Sequence, residues 1–127
     1  MMNPELCTEN LILKEEKAMN NWITICEETD LIPDTGVCAL LGNEQVAVFK
    51  TKKDNAIFAI SNYDPISKAN VLSRGIIGSI GGEVVVASPL YKQHFSLTSG
   101  VCLEDDSQSV KTFPVGVDSG KVQLRDC

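Results

Sequence analysis

Histidine is almost missing from this chain, whose 127 residues include only one, His94. A single imidazole excludes every site that needs two, and it leaves any serine or cysteine nucleophile with one available histidine base. The sequence also has no Gly-x-Ser-x-Gly elbow, the turn that presents a nucleophilic serine in many hydrolases. The chain therefore contains no recognisable catalytic set.

Paired cysteines are also missing. The five cysteines are odd in number and include no Cys-x-x-Cys pair; they are Cys7, Cys26, Cys38, Cys102 and Cys127. This pattern argues against a disulfide framework and against a zinc site with paired thiolates. Cys26 and Cys38 lie in apolar, strand-like segments and are predicted to be buried and inert. Cys127, at the end of the chain, is predicted to be exposed and open to oxidation.

Basic residues and long apolar runs are scarce. The chain has 11 Lys and Arg against 17 Asp and Glu, a net charge of −6, which argues against binding to nucleic acid or to an anionic membrane surface. The nearest basic cluster, Lys50, Lys52 and Lys53, is predicted to be a solvated hairpin tip. No apolar run reaches the about eighteen residues that a membrane span requires. Residues 1–9 lack the basic and apolar regions of a secretory signal, so we expect a cytoplasmic protein.

Two further patterns resemble chemical sites but have simpler interpretations. Glu27-Glu28 and Asp105-Asp106 are adjacent carboxylates, whose side chains would point to opposite faces of a strand, and we interpret them as solvated charges. Residues 78–82 are rich in glycine but no helix follows to bind a phosphate, so they are predicted to form a hairpin turn.

The remaining pattern is that of β structure. Short apolar or alternating runs predict strands over 22–26, 37–41, 45–50, 56–60, 75–80, 83–87, 94–97, 110–117 and 121–125. Gly42-Asn43 and Gly81-Gly82 are hairpin signals, and residues 30–35 are predicted to form a short helical turn. Because residues 84–86 are three consecutive valines, both faces of that strand should be buried.

The chain is therefore predicted to be all-β, an antiparallel sandwich or small barrel of about nine short strands with little helix. We expect one domain over residues 21–127. Residues 1–20 are predicted to be an N-terminal extension, either disordered or a short helix, because the β pattern begins near Trp22.

Two short segments, Asn62–Pro65 and Ser88–Tyr91, lie within a frame that resembles a Rieske domain, namely residues 59–61 and 93–100. Rieske loops carry Cys-x-His and Cys-x-x-His, with two thiolates on one iron and two imidazoles on the other. On this frame the four ligand positions hold Asn62, Asp64, Ser88 and Tyr91. The resemblance therefore implies a Rieske-like scaffold with no [2Fe–2S] cluster.

Further segments narrow the resemblance to one family. In order along the chain they are Trp22–Cys26, Pro33–Gly42, Glu44–Phe49, Val71–Gly75, Ala87–Leu90, Gly100–Asp105 and Val122–Arg125. Together they resemble the small subunit of bacterial NAD(P)H-dependent nitrite reductase, in which the first loop also reads Asn-x-Asp-Pro.

This resemblance implies a non-catalytic subunit of an oxidoreductase that reduces nitrite to ammonium in six electrons, in nitrate assimilation or nitrite detoxification. It also implies that FAD, an iron–sulfur cluster and sirohaem belong to the partner large subunit, and that this chain holds no cofactor or metal. Two other functions stay open: a Rieske-type ferredoxin of an oxygenase system, and a stand-alone ligand-binding β domain, which would need a concave pocket.

In a Rieske domain the two ligand loops form an exposed tip that meets partner proteins. Here the residues at that place would be Tyr63, Pro65, Pro89, Leu90 and Tyr91, flanked by Lys68, Lys92 and His94. Aromatic residues beside basic ones are typical of protein interfaces, so these five are candidate partner-binding residues. The alternative interpretation is that Tyr63 and Tyr91 fill the space of the missing cluster.

Overall fold

A computed structural model of the protein describes residues 22–125. The predicted extension over residues 1–20, with Cys7, lies outside the described residues, as does Cys127. Over the described range the chain forms eleven strands and two 3-10 turns, at Glu28–Asp30 and Leu72–Arg74. The strands are β1 (Ile23–Glu27), β2 (Gly36–Leu41), β3 (Glu44–Lys50), β4 (Ile57–Ser61), β5 (Tyr63–Asp64), β6 (Ala69–Asn70), β7 (Ile76–Ile80), β8 (Glu83–Ala87), β9 (His94–Ser96), β10 (Val115–Asp118) and β11 (Lys121–Leu124). The predicted all-β class, with little helix, is confirmed.

The strands form three three-stranded antiparallel sheets, in the orders β1-β11-β10, β2-β3-β4 and β7-β8-β9, and a small β5-β6 pair. The first and last strands of the domain are neighbours, because Ile23 lies opposite Leu124. Both predicted glycine hairpins are present, β2-β3 around Gly42 and β7-β8 around Gly81.

Two apolar cores lie on opposite faces of the β2-β3-β4 sheet. Successive side chains of a strand point to opposite faces. On β3, Ala47 and Phe49 therefore join one core, with β8 and β9, while Val46 and Val48 join the other, with β11. The predicted burial of both faces of β8 is confirmed, since Val85 and Val86 are 1% and 0% exposed.

Two predicted elements differ from the structure. The strand predicted over 110–117 begins only at Val115. Before it, Thr112 makes a single β-bridge with Ile60, and Pro114 has no N–H with which to continue the ladder. The helical turn predicted over 30–35 lies earlier, at Glu28–Asp30, where the Asp30 carboxylate accepts the Glu27 backbone N–H at 3.1 Å.

The topology brings the two predicted ligand loops to one end of the molecule. The first loop follows β4 and the second follows β8. The turns before those two strands, residues 51–56 and 81–82, therefore lie at the other end, where they line a common cleft. We call the end formed by residues 62–66 and 88–92 the tip.

Candidate functional site

Asn62, at the first ligand position, anchors the first loop to its surroundings. Its side chain is buried, with 2% exposed. Its Oδ1 accepts the Ser73 backbone N–H at 2.6 Å, and its Nδ2 donates to Gln45 Oε1 at 3.0 Å. The carboxamide thus links β3 to the 3-10 turn at Leu72–Arg74.

Asp64, at the second ligand position, connects the two loops. Its side chain is fully buried, and its Oδ1 accepts the backbone N–H groups of Ile66 and Ser67 at 2.9 and 3.3 Å. Its Oδ2 accepts the Ser88 hydroxyl at 2.5 Å, so two former ligand positions are bonded directly to each other. Burial acts to raise the pKa of the Asp64 carboxyl, but the hydrogen bonds from Ser88, Ile66 and Ser67 outweigh it and leave this pKa below its ordinary value.

The residues at the four ligand positions do not fit a [2Fe–2S] cluster. Such a cluster takes thiolate and imidazole ligands, whereas these positions offer a carboxamide, a carboxylate, an aliphatic hydroxyl and a phenol. Asn62, Asp64 and Ser88 are buried and already hydrogen-bonded within the protein. Tyr91 faces outward, with 61% of its surface exposed. Between residues 22 and 125 there is also no group of three or more His, Cys, Asp or Glu residues placed to hold a metal.

The predicted partner-binding residues divide by exposure. Tyr63, Leu90 and Tyr91 are 44%, 53% and 61% exposed, while Pro65 and Pro89 are half-buried. The interpretation that the two tyrosines fill the space of a cluster is therefore wrong, since Asn62, Asp64 and Ser88 are the buried side chains at this end.

Two exposed apolar residues beside the tip were missed by the sequence reasoning. Leu40, 66% exposed, lies opposite Gln45, whose carbonyl accepts the Asn62 N–H. Ile76, 73% exposed, lies opposite Ala87, which precedes Ser88. Both belong to edge strands, β2 and β7, and an apolar run does not reveal that one side of its strand lacks a covering layer.

The single histidine pairs with a carboxylate beside the second loop. His94 Nδ1 lies 2.6 Å from Glu104 Oε2, and the His94 backbone N–H donates to Glu104 Oε1 at 2.8 Å. That backbone hydrogen bond is the main cause that lowers the pKa of Glu104. Lys68 and Lys92, the other predicted basic neighbours of the tip, are exposed.

The prediction of buried, inert cysteines is wrong for Cys38, which is exposed. It lies on the edge strand β2, and its Sγ is 3.5 Å from Gln45 Oε1 and 3.6 Å from Asn62 Nδ2. Cys26 is half-buried, and burial, with smaller contributions from Asp30 and Glu27, raises the pKa of its thiol. Cys102 is fully buried.

The adjacent carboxylates form ordinary surface contacts. Glu27 pairs with Lys121 at 3.0 Å and Glu28 with Lys50 at 3.8 Å. Asp105 accepts the Ser107 hydroxyl at 2.6 Å.

No helix within residues 22–125 has the length and apolar character to cross a bilayer.

Comparison with known proteins agrees with this geometry. The family model described as "Rieske-like [2Fe-2S] domain" matches residues 21–125. The chain is 52% identical over 107 residues to the nitrite reductase (NADH) small subunit of Escherichia coli strain K12. The aligned region covers 84% of this chain and 99% of that protein. The solved structure of the E. coli protein NirD has a TM-score of 0.76 and 52% identity, covering 83% of this chain and 96% of that one.

A further relative carries the same domain within a longer polypeptide. The chain is 42% identical over 101 residues to part of the nitrite reductase [NAD(P)H] large subunit of Klebsiella oxytoca. The matched region covers 80% of this chain and 10% of that large subunit. In this relative, therefore, a domain like this one is covalently part of the large chain.

Proposed function

The chain belongs to the family of Rieske-like nitrite reductase small subunits, and from this premise we propose that it is the non-catalytic small subunit of a cytoplasmic NAD(P)H-dependent nitrite reductase. The enzyme reduces nitrite to ammonium in six electrons, in nitrate assimilation or nitrite detoxification. FAD, an iron–sulfur cluster and sirohaem belong to the large subunit. This chain contributes docking and structural support to the complex rather than a redox centre.

The hydrogen bond between Asp64 and Ser88 is the observation that carries the proposal. It joins the two loops through groups that occupy ligand positions of the Rieske frame. The loops are therefore held together without iron, and the tip keeps its shape while it lacks soft ligands. A ferredoxin of an oxygenase system needs those ligands to carry electrons, so the donor set favours the nitrite reductase subunit over that alternative.

The tip is the surface that we propose for docking to the large subunit. Five exposed apolar side chains gather at this end: Leu40, Tyr63, Ile76, Leu90 and Tyr91. Their burial would release apolar surface from water without the cost of desolvating a charge. Pro65 and Pro89 restrict the backbone beside them, which lowers the entropy lost on binding.

The experiment that tests this proposal places a charge in the tip. Leu90→Asp puts a carboxylate into the proposed contact, and we expect it to weaken binding to the large subunit by about 2 kcal/mol or more. Affinity is measured by isothermal titration calorimetry, and the thermal unfolding of the isolated variant checks its fold.

Ile80→Asp is the matched control, because Ile80 is 42% exposed at the other end of β7 and precedes the hairpin turn opposite the tip. It should bind with unchanged affinity. If Leu90→Asp also leaves the affinity and the nitrite-reducing activity of the reconstituted complex unchanged, the tip is not the docking surface.

We also predict that the purified chain is colourless and holds no stoichiometric iron or acid-labile sulfide, because the four ligand positions offer only hard oxygen and amide groups. The measurement is iron content and visible absorption after anaerobic incubation with iron and sulfide. A Rieske ferredoxin with all four ligands, treated in parallel, is the positive control. Stoichiometric iron with visible absorption would overturn the proposal that this chain transfers no electrons.

A further inference from the structure

An open cleft of about 520 Å³ lies between β4, the segment that follows β9 and the segment that leads into β10. Its apolar lining includes Phe58, Leu97 and Phe113. Thr98, Thr112 and Arg125 also line it. None of these residues belongs to the tip.

The guanidinium group of Arg125, which lines this cleft, has a hydrogen-bond donor without a partner among residues 22–125. Its guanidinium carbon lies 5.0 Å from the centre of the Trp22 ring, so the side chain is held against an aromatic face. Its Nε is buried and has no hydrogen-bond partner among residues 22–125, and the ion pairs of that part of the chain do not include it. A guanidinium donates in a planar fork that matches a carboxylate, so an acidic group is the partner it fits best.

The same edge of the fold is where both ends of the domain emerge. Because Ile23 pairs with Leu124, the neighbouring residues Trp22 and Arg125 lie side by side. In the Klebsiella relative, where a domain like this one covers 10% of a large subunit, the rest of the polypeptide must join through one or both of these ends. The cleft therefore lies next to the point where that large subunit is covalently attached.

We propose that this cleft is a second contact with the large subunit, separate from the tip. The occupant is an extended segment of the large subunit that lays an apolar side chain against Phe58 and Phe113 and pairs a carboxylate with Arg125. This inference rests on the proposed function.

The chain's own N-terminal residues are the other occupant to consider, since they lead into Trp22. They include Leu11, Ile12 and Leu13 with glutamates on both sides. The E. coli small subunit, however, is matched over 99% of its length by 107 residues of this chain, and the family match begins at residue 21. A relative without the first twenty or so residues is thus still a small subunit, which favours the large subunit as the occupant.

The test measures affinity for the large subunit with the full-length chain. Arg125→Gln removes the charge and the fork, and we expect binding to weaken about tenfold or more, the effect of losing an interface hot spot. Arg125→Lys keeps the charge but not the planar fork, so it should fall between wild type and Arg125→Gln. Lys53→Gln, which removes one positive charge from a residue that belongs neither to the lining of this cleft nor to the tip, is the matched control and should not change the affinity.

A second variant covers the case in which Arg125→Gln loosens the packing on Trp22. Thr98 is exposed and lines the same cleft as Arg125, so Thr98→Glu places a carboxylate in the cleft that repels the incoming acidic group. We expect it also to weaken binding about tenfold, with an unchanged melting temperature.

The outcomes separate the two proposals. If Leu90→Asp weakens binding while Arg125→Gln and Thr98→Glu change affinity less than about twofold, the second contact is wrong and the docking role stands. If no complex with the large subunit forms at all, both are wrong. Trp22 is the chain's one tryptophan and its ring lies against Arg125, so its fluorescence reports on the surroundings of Arg125 in the isolated protein. A shift in its emission when residues 1–20 are removed, with unchanged affinity of Arg125→Gln, would assign the cleft to the chain's own segment and overturn the inference.

Discussion

Asp64 shows how one side chain can replace a metal ligand with hydrogen bonds. On the Rieske frame this position would hold a histidine that binds iron. Here a buried carboxylate accepts three donors, two from its own turn and one from the second loop. A buried charge is tolerated only when its acceptor sites are occupied, so the position depends on those donors.

We predict that Ser88→Ala destabilises the protein by about 1–3 kcal/mol, because it removes a donor from a buried carboxylate. The measurement is the free energy of unfolding in urea at neutral pH. Ser107→Ala is the matched control, since Ser107 donates to Asp105 at 2.6 Å on the exposed surface. Its effect should stay within about 0.5 kcal/mol. Equal effects of the two substitutions would contradict the role given to Ser88.

The pH dependence of this difference follows from the lowered pKa of Asp64. A carboxyl whose pKa is lower in the folded state stabilises the fold above its unfolded pKa, about 3.9, and this contribution is lost as pH falls through the folded pKa. The gap between wild type and Ser88→Ala should therefore be full at neutral pH and shrink in acid. A gap that is independent of pH down to about pH 2 would show that the hydrogen bond does not involve the ionised carboxylate.

Among the elements, the 3-10 turn at Leu72–Arg74 is followed by Gly75, which makes a close approach that only glycine permits just before β7. A Cβ on Gly75 would collide with the Ala87 carbonyl oxygen on β8 and with Val86 Cγ2. This contact holds the end of the 3-10 turn at Leu72–Arg74 against the strand that leads into the second loop. The packing of this turn against β8 therefore connects the first loop to the second loop.

We predict that Gly75→Ala costs about 1–3 kcal/mol of stability through overpacking. Gly78→Ala, three residues further on in β7, is the matched control, because a Cβ there meets nothing within 4 Å. That control should be neutral or slightly stabilising, since alanine restricts the unfolded chain more than glycine. Both are measured by thermal unfolding, and a neutral Gly75→Ala would mean that the turn and β8 separate easily.

The sequence predicted most elements, because alternation and glycine turns are local signals. β8 and the hairpins around Gly42 and Gly81 agree with the structure for this reason. The sequence prediction failed where the pairing of strands decides the structure. Thr112 makes one β-bridge instead of a ladder, and Cys38 is exposed because β2 lies at a sheet edge. The ligand positions followed from the family frame. The bond from Asp64 to Ser88 did not, because it joins residues 24 positions apart.

At the scale of the whole molecule, two apolar cores are formed by side chains of residues 22–125. They contain side chains from β3, β8, β9 and β11. We therefore predict that removing residues 1–20 changes the free energy of unfolding by less than about 1 kcal/mol. Chemical denaturation of the full and shortened chains measures this difference. A loss of several kcal/mol would mean that the extension packs on the sandwich.

The pairing of the first and last strands also has a consequence for how the enzyme is assembled. A domain whose two ends lie side by side can be joined to another polypeptide without distortion, as a domain of this kind is in the Klebsiella large subunit. A covalent link supplies an effective concentration that is typically millimolar for a short flexible connection, whatever the strength of the contacts. A separate small subunit has no such help and must bind at its cellular concentration. Its exposed surfaces therefore have to provide the association free energy that the fused relative obtains from a peptide bond.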